Sequence, residues 1–321
     1  MNRFWKYITL PLLQAQKPKV VVEIGSQYGC GTKLLCKFCC ENNAAMHTID
    51  PDPQFNQTDF QRVLGNRFFI HKAMSLEILP TIHNMDVVFV DGDHNWYTVY
   101  NELKLISEQS QQDKHPFPVL LMHDVCWPYG RRDLYYNPET IPPEFRNKYE
   151  QRGVLPEKKD LSDFGLNSHL FNAAMEGGKQ NGVLTAIEDF IKGADEVMHF
   201  YTIPAFNGYG ILISESRLNQ CDELPKFLLD IIPTAGILSL ISDLEMDRVK
   251  SQVKHITKDQ ILSEANISIA EKDQAITALE EAVSQNESAG LYQRSHNLFL
   301  PLWTAGLQYL YWPFQGSGPF R

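Results

Sequence analysis

Residues 20–32, VVVEIGSQYGCGT, decide the fold of this chain. They predict a buried strand over 20–24, a turn rich in glycine, and a helix over 31–41. Gly25 permits a sharp turn at the end of the strand, because glycine reaches backbone conformations that other residues rarely adopt. The start of the helix offers unpaired N–H groups. The stretch therefore predicts a turn that binds a ligand at the edge of an α/β sheet.

A second candidate strand, 45–49, is followed by Asp50. An acid at this place accepts hydrogen bonds from the ribose hydroxyls of an adenosine cofactor. Dinucleotide folds use G-x-G-x-x-G, whereas the spacing here is Gly25-x-x-x-Gly29. This spacing, preceded by Glu23, departs from the dinucleotide pattern and resembles the E/D-x-G-x-x-x-G motif of class I methyltransferases. The resemblance implies S-adenosylmethionine as the cofactor, and an NAD-type Rossmann oxidoreductase is the alternative.

Short apolar runs alternate with helical patterns as far as about residue 216, which is typical of a parallel α/β sheet. We predict a Rossmann-like, doubly wound, seven-stranded and mostly parallel sheet with a long lid insertion, followed by a C-terminal α-helical coiled coil. The candidate strands are 20–24, 45–49, 67–71, 86–90, 119–122, 199–203 and 209–214, and the candidate helices are 31–41, 96–109 and 183–191.

Composition narrows the class of protein. The net charge is -10, from 39 acidic and 29 basic residues, and no basic stretch offsets it, so we expect no nucleic-acid partner. Cys36 and Cys39 form a CxxC without a second pair at zinc-ligand spacing. We therefore expect reduced thiols and a cytoplasmic protein, with peripheral association at the inner membrane face as a further option.

The chain divides into four predicted regions. Residues 262, 269, 276 and 283 are apolar at heptad spacing, which indicates a coiled coil and a homo-oligomer; a helix packed back on its own domain is the alternative. The aromatic-rich tail would contact a partner protein, a membrane surface or a second protomer. The predicted regions are a helical lead-in (1–18), a cofactor-binding domain (19–235) that includes the insertion (126–180), a coiled-coil helix (236–288) and the tail (289–321).

Polar residues follow two further candidate strands. Asp91, Asp93 and His94 follow 86–90, while His123 and Asp124 follow 119–122. Ligands bind at the carboxyl ends of strands in an open parallel sheet, so we expect these side chains to lie together. They would hold a divalent cation, or a histidine alone would act as general base.

These ordered motifs resemble class I S-adenosylmethionine-dependent methyltransferases of the small-molecule and sugar O-methyltransferase type. Segments 127–136, 138–142 and 172–186 are similar to the lid of a bacterial subgroup associated with glycan assembly. The resemblance covers about residues 20–216. It implies methyl transfer to a hydroxyl, with a sugar or glycan precursor as acceptor. A methyltransferase-like scaffold without activity, assembled through its coiled coil, is the non-enzymatic alternative.

The resemblance also implies roles for individual residues. Relatives that use Mg²⁺ bind it through one Asp after the fourth strand and an acid pair after the fifth, positions that fall here on Asp91, His123 and Asp124. His123 departs from the acid in that pattern, so another divalent metal or a metal-free base is the alternative. The implied cofactor contacts are Glu23, Gly25, Ser26, Tyr28, Gly29, Thr32, Asp50, Ser75 and Asp91; the catalytic set is His94, His123 and Asp91; the acceptor contacts are Trp127, Arg131, Arg132, Tyr135, Glu176 and Asn181.

Overall fold

The computed structural model describes residues 1–288. The chain divides into two units, and the second begins at residue 259. The predicted aromatic tail, 289–321, lies outside the described residues.

The first unit is organised around one large sheet and one small one. The strands are β1 Val20–Ile24, β2 Ala45–Ile49, β3 Phe68–His71, β4 Val87–Val90, β5 Val119–His123, β6 Leu134–Tyr135, β7 Tyr149–Glu150, β8 Phe171–Ala173, β9 Met198–Ile203 and β10 Tyr209–Ser214. The helices are α1 Leu10–Gln16, α2 Cys30–Glu41, α3 Gln57–Leu64, α4 Ser75–Ile78, α5 Trp96–Asp113, α6 Val183–Gly193, α7 Glu215–Asn219, α8 Glu223–Ile231 and α9 Ala235–Ser288.

The large sheet has the strand order β3-β2-β1-β4-β5-β10-β9. All neighbours pair in parallel except β10, which is antiparallel to both β5 and β9. The predicted seven-stranded, mostly parallel sheet is confirmed. Ile24 of β1 pairs with Ile49 of β2 and with Val90 of β4. The three strands therefore end together, and the residues that follow them lie side by side at one edge.

Two apolar layers cover the sheet, one on each face. Val21 packs with α2 and the N-terminal segment, whereas Val22 packs with α5 and α6. Successive residues of a strand point to opposite faces, so an uninterrupted apolar run such as 20–22 fills both layers at once. This explains why the parallel strands carry no polar alternation.

The insertion between β5 and α6 has structure of its own. It contains the small antiparallel sheet β6-β8-β7, and Arg132 and Tyr135 within it are each 1% exposed. Asp133 joins the insertion to the domain, because its Oδ1 accepts hydrogen bonds from the main-chain N–H groups of Trp96 and Gly182, both at 2.7 Å. The segment is therefore a packed subdomain with a polar core.

The long helix α9 begins in the first unit. There, Val249 and Val253 are each 3% exposed, so this part of the helix packs on its own domain. In the second unit, Leu262, Ile269 and Ile276 are 50%, 56% and 53% exposed. Their predicted coiled-coil role stays a prediction. Across residues 1–288 no single helix is long and apolar enough to cross a membrane, although α8 and α9, taken as a bent pair, meet the length and composition required.

Candidate active site

The glycine turn after β1 brings two chain segments into close contact. Gly25 has φ +85°, and a Cβ at this position would overlap the main-chain carbonyl of Asp91. Its N–H donates to the carbonyl of Ile49 at 2.9 Å. A side chain at residue 25 is excluded both by the backbone conformation and by the neighbouring strand end.

Asp50 supports this turn from the end of β2. Its Oδ2 accepts from the main-chain N–H groups of Ser26 at 2.9 Å and Gln27 at 2.7 Å, and from the Ser26 hydroxyl at 3.2 Å. Its Oδ1 accepts from the N–H of Asp52 at 2.9 Å. A carboxylate offers about four lone-pair sites, so Oδ1 retains capacity for one more donor. Asp50 thus shapes the turn and leaves one acceptor for a ribose hydroxyl.

A cavity of about 1010 Å³ opens above these strand ends. Most of the predicted cofactor contacts line it: Glu23, Gly25, Ser26, Tyr28, Asp50, Ser75 and Asp91. Gly29 and Thr32 are absent from its wall. Gly29 begins α2 in the left-handed region, with φ +72°, and the Thr32 hydroxyl donates to Glu23 at 2.7 Å. These two residues shape the wall of the cavity from behind.

Glu23 is an acid buried beneath the cavity, only 5% exposed. Burial raises the pKa of its carboxyl to about 8, against the opposing hydrogen bonds from Thr32 and Thr48. Glu23 is therefore largely protonated at neutral pH. It adds little negative charge beneath the ligand.

Two carboxylates and two imidazoles form a cluster where β4 and β5 end. His123 Nδ1 lies 2.9 Å from Asp124 Oδ2 and 3.4 Å from Asp91 Oδ1. His94 Nε2 lies 2.8 Å from Asp124 Oδ2 and 3.8 Å from Asp91 Oδ1. The structure thus brings together these four residues, which the sequence placed at the two strand ends.

The charges of the cluster compensate one another. Burial favours neutral imidazoles, but the nearby carboxylates outweigh it, so the pKa of His123 rises to about 9 and that of His94 rises well above its usual value. Burial likewise opposes ionisation of Asp91 and Asp124, yet the histidines hold the pKa of both carboxyls far below the usual range. At neutral pH the two histidines therefore carry protons.

Three members of the cluster offer ligand atoms to one common point. The ligand atoms of Asp91, His123 and Asp124 all lie within 4.8 Å of one another. Two carboxylate oxygens with one imidazole nitrogen suit Mn²⁺, Fe²⁺ or Zn²⁺ better than Mg²⁺, which prefers oxygen ligands. The donor set therefore fits a divalent transition metal.

A second, smaller cavity of about 170 Å³ lies on the other side of the cluster. His94, Asp124 and Tyr136 line both cavities. The walls of the smaller one come from the insertion and from the first part of α9, and they include Trp127 and Arg248. The cluster therefore separates a large cofactor-sized space from a small pocket.

The other predicted acceptor contacts belong to the internal structure of the insertion. Arg131 pairs with Glu188 of α6 through two hydrogen bonds of 2.6 and 2.7 Å. Arg132 donates to the main-chain carbonyls of Ala173 at 2.5 Å and Lys159 at 2.7 Å. Neither arginine lines a described cavity, because the protein itself supplies their acceptors.

Tyr135, Glu176 and Asn181 also face the protein. The Tyr135 hydroxyl donates to Asp133 at 2.8 Å, and Asn181 accepts from the Asp133 N–H at 2.7 Å. Glu176 lies 3.9 Å from the Arg132 guanidinium. Of the six predicted acceptor contacts, the structure places Trp127 alone in the wall of a described cavity.

Sequence reasoning missed several residues of the two cavities. Tyr136 stands beside His94, with its hydroxyl 3.4 Å from His94 Nδ1. Arg248 reaches the smaller cavity from α9, more than a hundred residues from the strand ends. Glu102 is a fully buried acid in the wall of the larger cavity. A sequence signal was available for Glu102 alone, since it is an acid on the apolar side of its helix.

Comparison with known families agrees with the sheet and the strand-end cluster. Residues 22–125 match a family described as a methyltransferase domain. This part of the chain is therefore similar to a methyltransferase domain. The matched residues begin in β1 and end after Asp124, so they include the glycine turn, Asp50 and the whole cluster. Comparison with curated proteins gives no significant match.

Solved structures similar to this chain share little sequence with it. A methyltransferase from Podospora anserina with bound S-adenosylhomocysteine is 16% identical over 64% of this chain and 77% of that one, with a TM-score of 0.39. A methyltransferase from Geobacter sulfurreducens is 13% identical over 64% of this chain and 77% of that one, with a TM-score of 0.36. A 1,6-didemethyltoxoflavin N1-methyltransferase from Burkholderia thailandensis is 12% identical over 66% of this chain and 80% of that one, with a TM-score of 0.36. Likeness at this level carries no argument about the reaction of this domain.

Proposed function

We propose that this protein transfers the methyl group of S-adenosylmethionine to a hydroxyl of a small polar acceptor, such as a sugar or a glycan precursor. One observation carries the proposal. His94 and Asp124 line both the larger and the smaller cavity, so a methyl donor in one and an acceptor in the other would meet at the cluster. The family match of residues 22–125 supports methyl transfer as the reaction class.

The larger cavity supports S-adenosylmethionine as the donor. Its wall combines the glycine turn, the free capacity of Asp50 Oδ1 and the Asp91 carboxylate. The spacing from Gly25 to Gly29 differs from that of dinucleotide folds. A carboxylate beside a sulfonium favours it by charge, and Asp91 is held ionised because His123 and His94 outweigh the effect of burial on its pKa.

The reaction would be an in-line displacement at the methyl carbon. The sulfur–carbon bond breaks as the acceptor oxygen forms its bond to carbon, and the hydroxyl proton leaves to a base. Holding donor and acceptor at the correct separation supplies much of the acceleration. We propose His94 as the base, because it is the imidazole that lines both cavities. His94 must first lose its own proton, so activity should rise with pH above neutrality.

We further propose that Asp91, His123 and Asp124 hold a divalent transition metal. When bound, such an ion would lower the pKa of an acceptor hydroxyl. His123 would coordinate through Nδ1, the atom that faces both carboxylates, once binding of the ion has displaced its proton. His94 lies outside this ligand set and keeps its role at the acceptor.

The smaller cavity supports a ring-shaped polar acceptor. Trp127 and Tyr136 contribute aromatic side chains to its wall, and Asn167 and Asn207 contribute amide groups. Aromatic faces beside amides suit a sugar ring, whose faces are apolar and whose edge is polar. The proposal predicts that Trp127→Ala raises KM for the acceptor and leaves cofactor affinity unchanged.

The test measures release of S-adenosylhomocysteine with a panel of nucleotide sugars and glycan precursors. We expect turnover with at least one member and a loss of at least a hundredfold in Asp124→Asn, with Asp163→Asn as the matched control because Asp163 is 80% exposed. EDTA should abolish turnover and Mn²⁺ should restore it. Titration calorimetry should show binding of S-adenosylmethionine and none of NAD. Binding of NAD alone would refute the proposal.

A further inference from the structure

One acid in the wall of the larger cavity has no part in the proposed chemistry. Glu102 lies in the middle of α5 and is 0% exposed. Its Oε1 accepts from the Ser75 hydroxyl at 2.5 Å. Its Oε2 is buried and has no hydrogen-bond partner among residues 1–288. A buried polar atom without a partner costs about 1–3 kcal/mol, so a bound ligand is the simplest source of the missing partner.

The position of Glu102 in the cavity indicates which part of a ligand it meets. Asp50 and the glycine turn lie at the ends of β1 and β2, where a ribose would bind. Ser75 follows β3, and Ala73 and Met74 precede it in the same wall. Their small apolar surfaces suit the flat face of a base. Glu102, the hydrogen-bond partner of Ser75, lines the same cavity.

We propose that Glu102 recognises the base of the nucleoside cofactor, with its Oε2 hydroxyl donating a hydrogen bond to N1 of adenine, the accepting ring nitrogen beside the amino group. The inference rests on the proposed function, since it assumes an adenosyl cofactor in the larger cavity. In this assignment Glu102 selects the base, and Ser75 orients the Glu102 carboxyl. Neither residue contacts the transferred methyl group in this assignment.

The charge state of Glu102 supports a donor role. Burial raises the pKa of its carboxyl to about 8, with the Ser75 hydrogen bond opposing the rise, the charge of Asp93 adding to it and that of His94 reducing it. The carboxyl is therefore protonated at neutral pH. Ser75 uses Oε1 as its acceptor, so Oε2 is the atom free to carry the proton.

A donor at this place would discriminate between bases. Adenine presents an accepting ring nitrogen beside an amino group, whereas hypoxanthine presents an N–H beside a carbonyl. A neutral carboxylic acid matches the first pattern and leaves an unpaired donor opposite the second. Sites built to form a buried hydrogen bond reject ligands that lack the partner by large factors.

The experiment measures binding of S-adenosylhomocysteine and S-inosylhomocysteine to the full chain by titration calorimetry between pH 6.5 and 9.5. We expect the wild type to prefer the adenosine ligand at least tenfold at pH 6.5, and to lose most of that preference by pH 9.5. Glu102→Gln keeps a donor, so it should bind S-adenosylhomocysteine within about threefold of wild type at pH 6.5, without the change at high pH. Glu102→Leu should bind it at least tenfold more weakly at pH 6.5.

Glu23 also lines the cavity and titrates in the same range, so Glu23→Gln is the matched variant. The fall in affinity at high pH should persist in Glu23→Gln and disappear in Glu102→Gln. Equal affinity of the wild type for both ligands at pH 6.5 would overturn the inference, even if Glu102→Leu does not fold. Tight binding of S-adenosylhomocysteine by a folded Glu102→Leu would overturn this inference and leave the proposed function standing. If the wild type binds neither ligand, the inference and the proposed function are both overturned.

Discussion

Asp133 provides the sharpest test of how the insertion is attached. It is 0% exposed, and four donors meet its carboxylate. Oδ1 accepts from the main-chain N–H groups of Trp96 and Gly182, and Oδ2 accepts from the Tyr135 hydroxyl at 2.8 Å and the Asn147 amide at 2.7 Å. Burial raises the pKa of this carboxyl, and the four donors oppose that rise.

Replacement of Asp133 by alanine removes the acceptor of all four donors, but the cost differs from one donor to the next. The two main-chain N–H groups have no other acceptor among the described contacts of the site, and a buried unsatisfied donor costs about 1–3 kcal/mol. Tyr135 and Asn147 lose less, since the Tyr135 oxygen still accepts from the Asn147 N–H and the Asn147 amide still donates to the carbonyl of Gln180. We expect Asp133→Ala to lower the free energy of unfolding by about 4–5 kcal/mol, a loss typical of substitutions that break a buried hydrogen-bond network.

Asp133→Asn distinguishes the contribution of Oδ1 from that of Oδ2. Its amide oxygen keeps the acceptor for Trp96 and Gly182, while its NH₂ group faces the Asn147 donor, so the expected loss is about 2 kcal/mol. The assay is urea unfolding followed by tryptophan fluorescence, with midpoints compared at constant slope. Asp163→Ala is the control in the same insertion, because its exposed ion pair with Arg152 contributes less than about 1 kcal/mol. A loss in Asp133→Ala no larger than in the control would refute the reasoning.

Three further predictions follow from single features. Gly25→Ala should abolish S-adenosylhomocysteine binding in calorimetry, while Gly65→Ala, which shares a positive φ but has no atom within 4 Å of its added Cβ, should bind normally. Since the pKa of Glu23 is raised from 4.5 to about 8 in the folded state, the unfolded chain holds fewer protons between pH 4.5 and 8, so stability falls as pH rises through that window. Glu23→Gln should remove up to about 5 kcal/mol of this fall in urea titrations at several pH values. Paired Leu262→Asp and Ile269→Asp should convert an oligomer into a monomer in light scattering, and a wild type that is already monomeric would contradict the coiled-coil prediction.

The strands of the large sheet were predictable because each is a short segment rich in apolar and β-branched residues between polar turns. All seven predicted strands are present, with ends displaced by one residue at most. The reversed direction of β10 was only partly accessible to sequence reasoning: the loop from β9 to β10 is short enough for an antiparallel pair, but pairing with β5 depends on a partner more than eighty residues away. Direction within a sheet is set by such long-range neighbours.

The cluster at the ends of β4 and β5 was predictable for a related reason. Parallel strands end at one edge, so residues that directly follow them must meet there. The charge state of His94 and His123 was not predictable, because it depends on distances below 4 Å to two carboxylates. A histidine expected to accept a proton is held protonated by the same neighbours that bring it to the site.

Residues of the insertion show where reasoning from residue type fails. Arg131 and Arg132 are chemically suited to an acidic acceptor. In the structure, however, Arg131 donates to Glu188 and Arg132 donates to the carbonyl of Ala173. Those partners lie 57 and 41 residues further along the chain. Nothing local in the sequence distinguishes an arginine that serves a substrate from one that holds its own subdomain together.

Glu102 shows the opposite case, in which a local irregularity carries information. Val99, Leu103 and Ile106 form the apolar stripe of α5, and each is fully buried; Glu102 lies three residues after the first and four before the last, on the same stripe. An ionised carboxylate there would carry a large desolvation cost, so the residue must be protonated, partnered or both. Ser75 partners only one of its oxygens. An acid that breaks the apolar pattern of its own helix at a cavity wall is best explained by a ligand that completes the hydrogen bonding, and the helical spacing of residues 99, 102, 103 and 106 is enough to single out Glu102 from the amino-acid sequence alone.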